Sequence, residues 1–107
     1  MTTTRKCFVA NQGFHDYSGL AKFGETIFVS SGRIALNDTG AMAQDWAKAL
    51  ADSQPDDYLV PSGPLFYNMI GASLFATLHG RLNVLVFISN GSYLAREIPM
   101  ASLMGAM

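Results

Sequence analysis

The sequence is short of charge. Only 14% of its 107 residues are Lys, Arg, Asp or Glu, against about 25% in a typical globular protein. A small domain has much surface to cover, so the shortage predicts that a partner hides some of it, and a twofold dimer is the commonest arrangement. Charge of one sign is missing too. Seven Lys and Arg against eight Asp and Glu give a net charge of −1, which leaves no basic field for a nucleic-acid backbone and excludes a duplex binder. One cysteine, Cys7, excludes an internal disulfide and a thiolate metal cage. In an apolar strand it reads as a small hydrophobe. The start of the chain, Met1 to Phe8, lacks the apolar stretch of a signal peptide. No uninterrupted membrane-length run is present either. Tyr58 to Gly80 is uncharged and long enough to span a bilayer, but Pro61, Gly63, Pro64, Asn68 and His79 break it. The expectation is a soluble cytoplasmic protein.

What is present is organised around that uncharged stretch. Asp57-Tyr-Leu-Val60 reads as a strand, Pro61-Ser-Gly-Pro64 as a tight turn, and the residues from Pro64 to Gly80 as a nearly all-apolar helix. Pro64 suits a first helical turn, where its missing N–H goes unmissed. Gly80 suits a left-handed C-terminal cap. Leu82 to Ile88 is apolar on both faces, as a central strand is. Strand, turn, helix, strand is a βαβ unit. Asn90-Gly91 then predicts a two-residue hairpin, with Ser92 to Ile98 returning.

Upstream, Cys7 to Ala10 and Thr26 to Ser30 read as strands. The aromatic loop Phe14-His-Asp-Tyr-Ser18 and a short helical turn through Ala21 to Gly24 separate them. Arg33 to Leu36 either continues or returns the second strand. Met42, Trp46 and Leu50 fall on one helical stripe within Ala41 to Ser53. Pro55 ends that helix, and Asp56 and Asp57 would lie at the solvated edge of the next strand. The fold class is α/β: a mixed sheet of about five strands, two main helices, a central βαβ unit and a C-terminal hairpin. Residues 1–98 form a single compact domain, and the apolar, Met-rich residues 99–107 form a tail that packs on a neighbouring subunit or frays.

Three constellations carry possible chemistry. The first is Ser62 and Gly63 in the turn, with Asn68 one helical turn on. Unpaired N–H groups at a helix N-terminus favour phosphate, and Ser62 can add a donor. The competing reading is a plain capping turn, with Asn68 bonded to a neighbouring strand. The Gly-Lys-Ser/Thr ending of a Walker loop is missing. The second is the loop from Asn11 to Ser18, where Phe14 or Tyr17 can stack on a ring. His15 beside Asp16 suggests acid/base or metal chemistry, but further ligands are lacking and the other histidine, His79, sits at a helix end. The third is the set of isolated arginines. Arg33, flanked by Gly32 and Ser31, and Arg96 in the last strand are the candidates for a phosphate clamp. Arg81 reads as a surface ion pair. No catalytic residue, metal or cofactor is expected: Ser62 lacks the Gly-x-Ser-x-Gly elbow of an acylating enzyme.

Three stretches, Asn11-Gln-Gly-Phe-His-Asp-Tyr-Ser18 with Lys22-Phe-Gly24, Ser53-Gln-Pro-Asp-Asp-Tyr-Leu-Val-Pro-Ser-Gly63 and His79-Gly-Arg-Leu-Asn-Val-Leu-Val-Phe87, together resemble small phage-encoded proteins of unassigned or anti-defence function. The family they most resemble is the Thoeris anti-defence protein, first type, and the resemblance spans most of residues 7–98. It implies a non-enzymatic, oligomeric sponge that holds a cyclic ADP-ribose isomer intact and keeps a downstream effector off. Pockets of that family use arginines, an aromatic and an asparagine, and Arg33, Arg96, Phe75 and Asn68 are the residues proposed for those roles. Two other readings stand beside it. One is a small phosphodiesterase or ring nuclease acting through His15, Asp16 or Ser62. The other is an oligomeric protein–protein inhibitor with no small ligand.

Overall fold

The computed structural model describes residues 4–107. Its elements are β1 (Lys6–Val9), β2 (Glu25–Phe28), α1 (Thr39–Ala49), β3 (Tyr58–Val60), α2 (Leu65–His79), β4 (Arg81–Phe87), β5 (Tyr93–Pro99) and α3 (Met100–Gly105), with a 3-10 turn at Ser18–Leu20. The five strands form one sheet in the order β2-β1-β3-β4-β5. The first four run parallel, and β5 returns antiparallel to β4. This is the expected mixed α/β sheet.

The apolar pattern explains why β1 and β3 are central. Phe8, Ala10 and Leu59 point to one face, where they pack with Met42, Trp46 and Leu50 from the α1 segment and Tyr67 and Phe75 from α2. Cys7, Val9, Tyr58 and Val60 point to the other, where Leu20, Leu85 and Tyr93 meet them. Strands covered on both sides need apolar residues at consecutive positions, not alternate ones. Both main helices therefore lie on one face, and the loop between β1 and β2 covers the other.

The two helices are held by one close approach. Gly71 lies under the indole of Trp46, so near that a Cβ there would overlap the ring carbons. The indole N–H donates to the Tyr67 carbonyl at 2.8 Å. Asp38 caps α1 by accepting from the Ala41 N–H at 3.0 Å, and Gly80 ends α2 in the left-handed conformation with φ of 68°. Asn90 and Gly91 have φ of 50° and 75°, and the Ser92 N–H donates to the Ser89 carbonyl at 2.8 Å. The hairpin is nevertheless one residue longer than the expected two-residue loop. The Ile88 N–H also donates to the Ser92 carbonyl at 2.9 Å, so Ser89 is bulged and Phe87 pairs with Tyr93.

Three local expectations are revised. Arg33 to Leu36 forms no strand, and only an isolated bridge between Gln12 and Ser31 extends the pairing of β2 with β1. Asp57 is buried, not at a solvated edge. Its carboxylate accepts the Lys6 N–H at 2.9 Å and the Gln54 N–H at 2.7 Å, so it serves as an internal cap joining β1 to the start of β3. The tail, for which no regular structure was expected, holds the last residue of β5, Pro99, and then the short exposed helix α3, set against β4 and β5. Among the described residues no helix is long and apolar enough to cross a membrane.

Candidate functional site

The strand order places a topological switch point between β1 and β3, because the chain leaves β1 toward β2 on one side and β3 lies on the other. Open α/β sheets bind ligands at the carboxyl ends of the strands at such a point. Here those ends are Asn11 and Ser62, and the gap between them is stitched shut. The Asn11 N–H donates to the Ser62 hydroxyl, and that hydroxyl donates to the Asn11 carbonyl, each at 2.9 Å. Gly63, at φ of 75°, backs onto Asn11 so closely that an added Cβ would sit 2.9 Å from the Asn11 Cβ.

Asn68 is equally committed. Its carbonyl oxygen accepts the Ser62 N–H at 3.0 Å, and its amide donates to the carbonyls of Ser62 and Pro64, both at 2.8 Å. The side chain folds back and shapes the turn ahead of α2. The first bond within the helix runs from the Asn68 N–H to the Pro64 carbonyl at 3.3 Å, so the N–H groups of Leu65, Phe66 and Tyr67 precede the ladder.

The open space lies one strand over. A cleft of about 230 Å³ is lined by His15, Tyr17, Val60, Pro61, Ser62, Phe87 and Tyr93. Its walls are aromatic. His15 lies edge-on to Tyr17 and tilted to Phe87, both with ring centroids 6.1 Å apart. Phe87 and Tyr93 meet at 5.7 Å, and Tyr17 leans on Phe28 at 5.2 Å. The Tyr17 hydroxyl accepts the Gly13 N–H at 2.8 Å, which closes the loop on itself. Asp16 caps the following turn by accepting the Ser18 N–H at 2.9 Å. That hydrogen bond holds its carboxyl below the usual carboxylate range. Burial raises the Tyr93 hydroxyl above the ordinary tyrosine value, so the deep wall is neutral. Adjacent His15 and Asp16 do not bond to each other among the described residues.

The residues singled out from sequence scatter. Ser62 and Tyr17 line the cleft. Gly63 and Asn68 build the turn beside it. Phe14 is fully exposed, and Phe75 is fully buried beneath α2, where its ring faces His79 at 4.6 Å. Arg33 stands past Gly32, whose carbonyl accepts the Asn11 amide at 3.0 Å, and pairs with no carboxylate among the described residues. Arg96 pairs across the strands with Val84, so it faces the helical side of the sheet, opposite the cleft. Arg81 makes the expected surface pair, with Glu97 at 3.7 Å. Phe87 and Tyr93 were missed, and the expected two-residue turn would have set Phe87 opposite Leu94. Ser89 adds one residue to the loop, which moves the register by one and sets Phe87 opposite Tyr93 on the same face.

The arrangement can hold a flat, largely apolar ring. It offers no activated nucleophile, since the Ser62 hydroxyl bonds the main chain. Among the described residues no group of three or more His, Cys, Asp or Glu stands close enough to hold a metal ion.

A family model described as phage Pam3 gp32-like protein matches residues 4–100. The chain belongs to the phage Pam3 gp32-like family. It is a phage protein, and the match carries no ligand or activity with it. No curated protein and no solved structure matches the chain.

Proposed function

We propose that this phage protein is a non-enzymatic binding protein that sequesters a nucleotide-type signal in the infected cell, taking the base into the aromatic cleft. The observation that supports the reading is the cleft itself, walled by Tyr17, Phe87 and Tyr93 at the carboxyl ends of parallel strands. At about 230 Å³ it is smaller than the ~300–1,000 Å³ of a pocket that encloses a whole drug-sized ligand. It suits one ring, with sugar and phosphates projecting toward solvent. The unladdered N–H groups of the exposed Leu65 and Phe66 would be the donors for a phosphate, with the exposed Arg33 as a candidate charged partner. The anti-defence reading, with a cyclic ADP-ribose isomer as the captured molecule, fits this division of labour: a stacked base, exposed phosphates and no bond broken.

The test is native mass spectrometry of the purified chain with a panel of cyclic ADP-ribose isomers and cyclic oligonucleotides. The expected result is intact ligand at fixed stoichiometry, recovered unchanged after heat denaturation. A linear or smaller product would replace this reading with a hydrolase acting through His15. No binding across the panel would replace it with a protein-binding role.

A further inference from the structure

We infer that a second copy of this chain docks on the outer flank of α2 and the adjoining face of β4 and β5. This inference stands apart from the ligand reading, because that flank lies on the opposite face of the sheet from the aromatic cleft.

The surface is built by two elements. Along α2, Phe66, Met69, Ile70, Ser73, Leu74 and Thr77 line a shallow groove of about 470 Å³. Their spacing of three and four residues makes one continuous helical stripe. Beside it the sheet is only partly covered. Leu82 and Val84 of β4 pack under the helices, while Val86 further along the same face is exposed. On β5, Ile98, Arg96 and Leu94 pair with Leu82, Val84 and Val86 and so share that face. The α2 helix packs on β4, α1 packs on α2, and α3 meets β5 and β4 next to their Pro99 and Arg81 ends, while Val86 and Leu94 further along remain exposed.

The size of the surface points to a protein partner. Phe66 is 48% exposed, Met69 56%, Val86 45% and Leu94 40%. With about 150–200 Å² per side chain, the low end of the aromatic range because Met, Val and Leu are smaller, these four present roughly 300–400 Å² of apolar surface. A standard interface buries about 800 Å² per partner, and a homodimer interface is about 65% non-polar, or about 520 Å². These four residues thus supply more than half of the apolar content that a stable dimer needs.

The pattern selects a second copy. Helix α2 has no charged residue, so two of them can face each other with no like-charge repulsion. A twofold axis midway between residues 71 and 72 sets the two stripes antiparallel. Phe66 then meets Thr77 of the partner subunit, Met69 meets Leu74 of the partner subunit, and Ile70 meets Ser73 of the partner subunit. A large residue faces a smaller one at the ends and the middle, as interdigitating helices require. This pairing also accounts for the low charge content of the chain.

The experiment is sedimentation equilibrium on the full chain, with Ser73→Glu and Ser73→Ala compared. Wild type and Ser73→Ala should be dimers at micromolar concentration. Ser73→Glu should weaken dimerisation at least 100-fold while keeping the wild-type circular dichroism, since Ser73 is exposed in the single copy. Met69→Lys, also at an exposed position, is the second variant should Ser73→Glu misfold, and it should dissociate equally. A wild-type monomer at 100-fold higher concentration, or a dimer that survives both charges, would overturn the inference. Ligand capture by the dissociated variants should match wild type, and its loss there would contradict the separation of the two faces.

Discussion

Ser62 and Asn11 exchange two hydrogen bonds through a single hydroxyl, which accepts from the Asn11 N–H and donates to the Asn11 carbonyl. The bonds tie the carboxyl ends of β3 and β1 at the position where a ligand would enter an open sheet of this order. The serine that looked like a phosphate donor is a strand clamp, and the ligand space shifts toward β4. Replacing Ser62 with Ala leaves a half-buried main-chain N–H and C=O without their partner. Each orphaned group costs about 1–3 kcal/mol, so Ser62→Ala should lower unfolding free energy by about 2 kcal/mol in urea titrations. An unchanged midpoint would show that the hydroxyl is free for a ligand.

Phe87 makes the complementary case. It is 47% exposed, yet it touches both His15 and Tyr93 across the cleft. Its truncation removes a stacking platform with little effect on the core. Base–aromatic stacking is worth about 1–3 kcal/mol by alanine substitution. Phe87→Ala should therefore weaken nucleotide capture by about 5- to 150-fold in calorimetric titrations, with a melting temperature close to wild type. Equal affinity in the variant would remove the cleft from the binding reading.

Gly71 tests the opposite face. Alanine is the better helix former by about 1 kcal/mol, so at an open helical site Gly71→Ala would stabilise the chain. Here the added methyl lands on the Trp46 indole, and overpacking of this kind costs about 1–3 kcal/mol. The clash wins, because the indole is itself pinned by its bond to the Tyr67 carbonyl. Thermal unfolding should shift down, and the emission of Trp46, the single tryptophan, should change with it. A stabilised variant with unchanged emission would mean that the helices separate freely.

The fold was legible where apolar runs and punctuation agreed. Pro64 and Gly80 bracket α2, and Asn90-Gly91 locates the turn between β4 and β5, while the extra residue Ser89 moves their register by one. Asp57 was misread because a carboxylate beside another aspartate suggests solvent. Only the tertiary approach of the Lys6 and Gln54 N–H groups makes its burial favourable. The candidate site was harder to read for a related reason. Hydrogen-bond capacity is consumed by partners far along the chain, so Ser62 and Asn68 resemble ligand donors until Asn11 and the turn carbonyls are placed beside them. Phe87 and Tyr93 carry no polar signature at all, and their site exists only once the hairpin is folded against the Tyr17 loop.

Cys7 supplies a prediction in pH. It is fully buried on β1, and burial pushes its thiol from 9.0 up to about 11, with the Asp57 carboxylate adding to the shift. The folded state therefore holds the proton more tightly than the unfolded state. Stability from this group is fully present below pH 9 and is lost as pH rises toward 11. The stability gap between wild type and Cys7→Ala should narrow over that window in urea titrations, and not between pH 5 and 8. Only the thiolate reacts with disulfide reagents. At pH 8 a shift of this size makes the folded thiolate about 100-fold scarcer than the unfolded one. Labelling in native buffer should be slower than in urea by at least that factor, since burial also blocks approach. Rapid native labelling at pH 8 would show that β1 is open to solvent, and with it the sheet that positions the cleft.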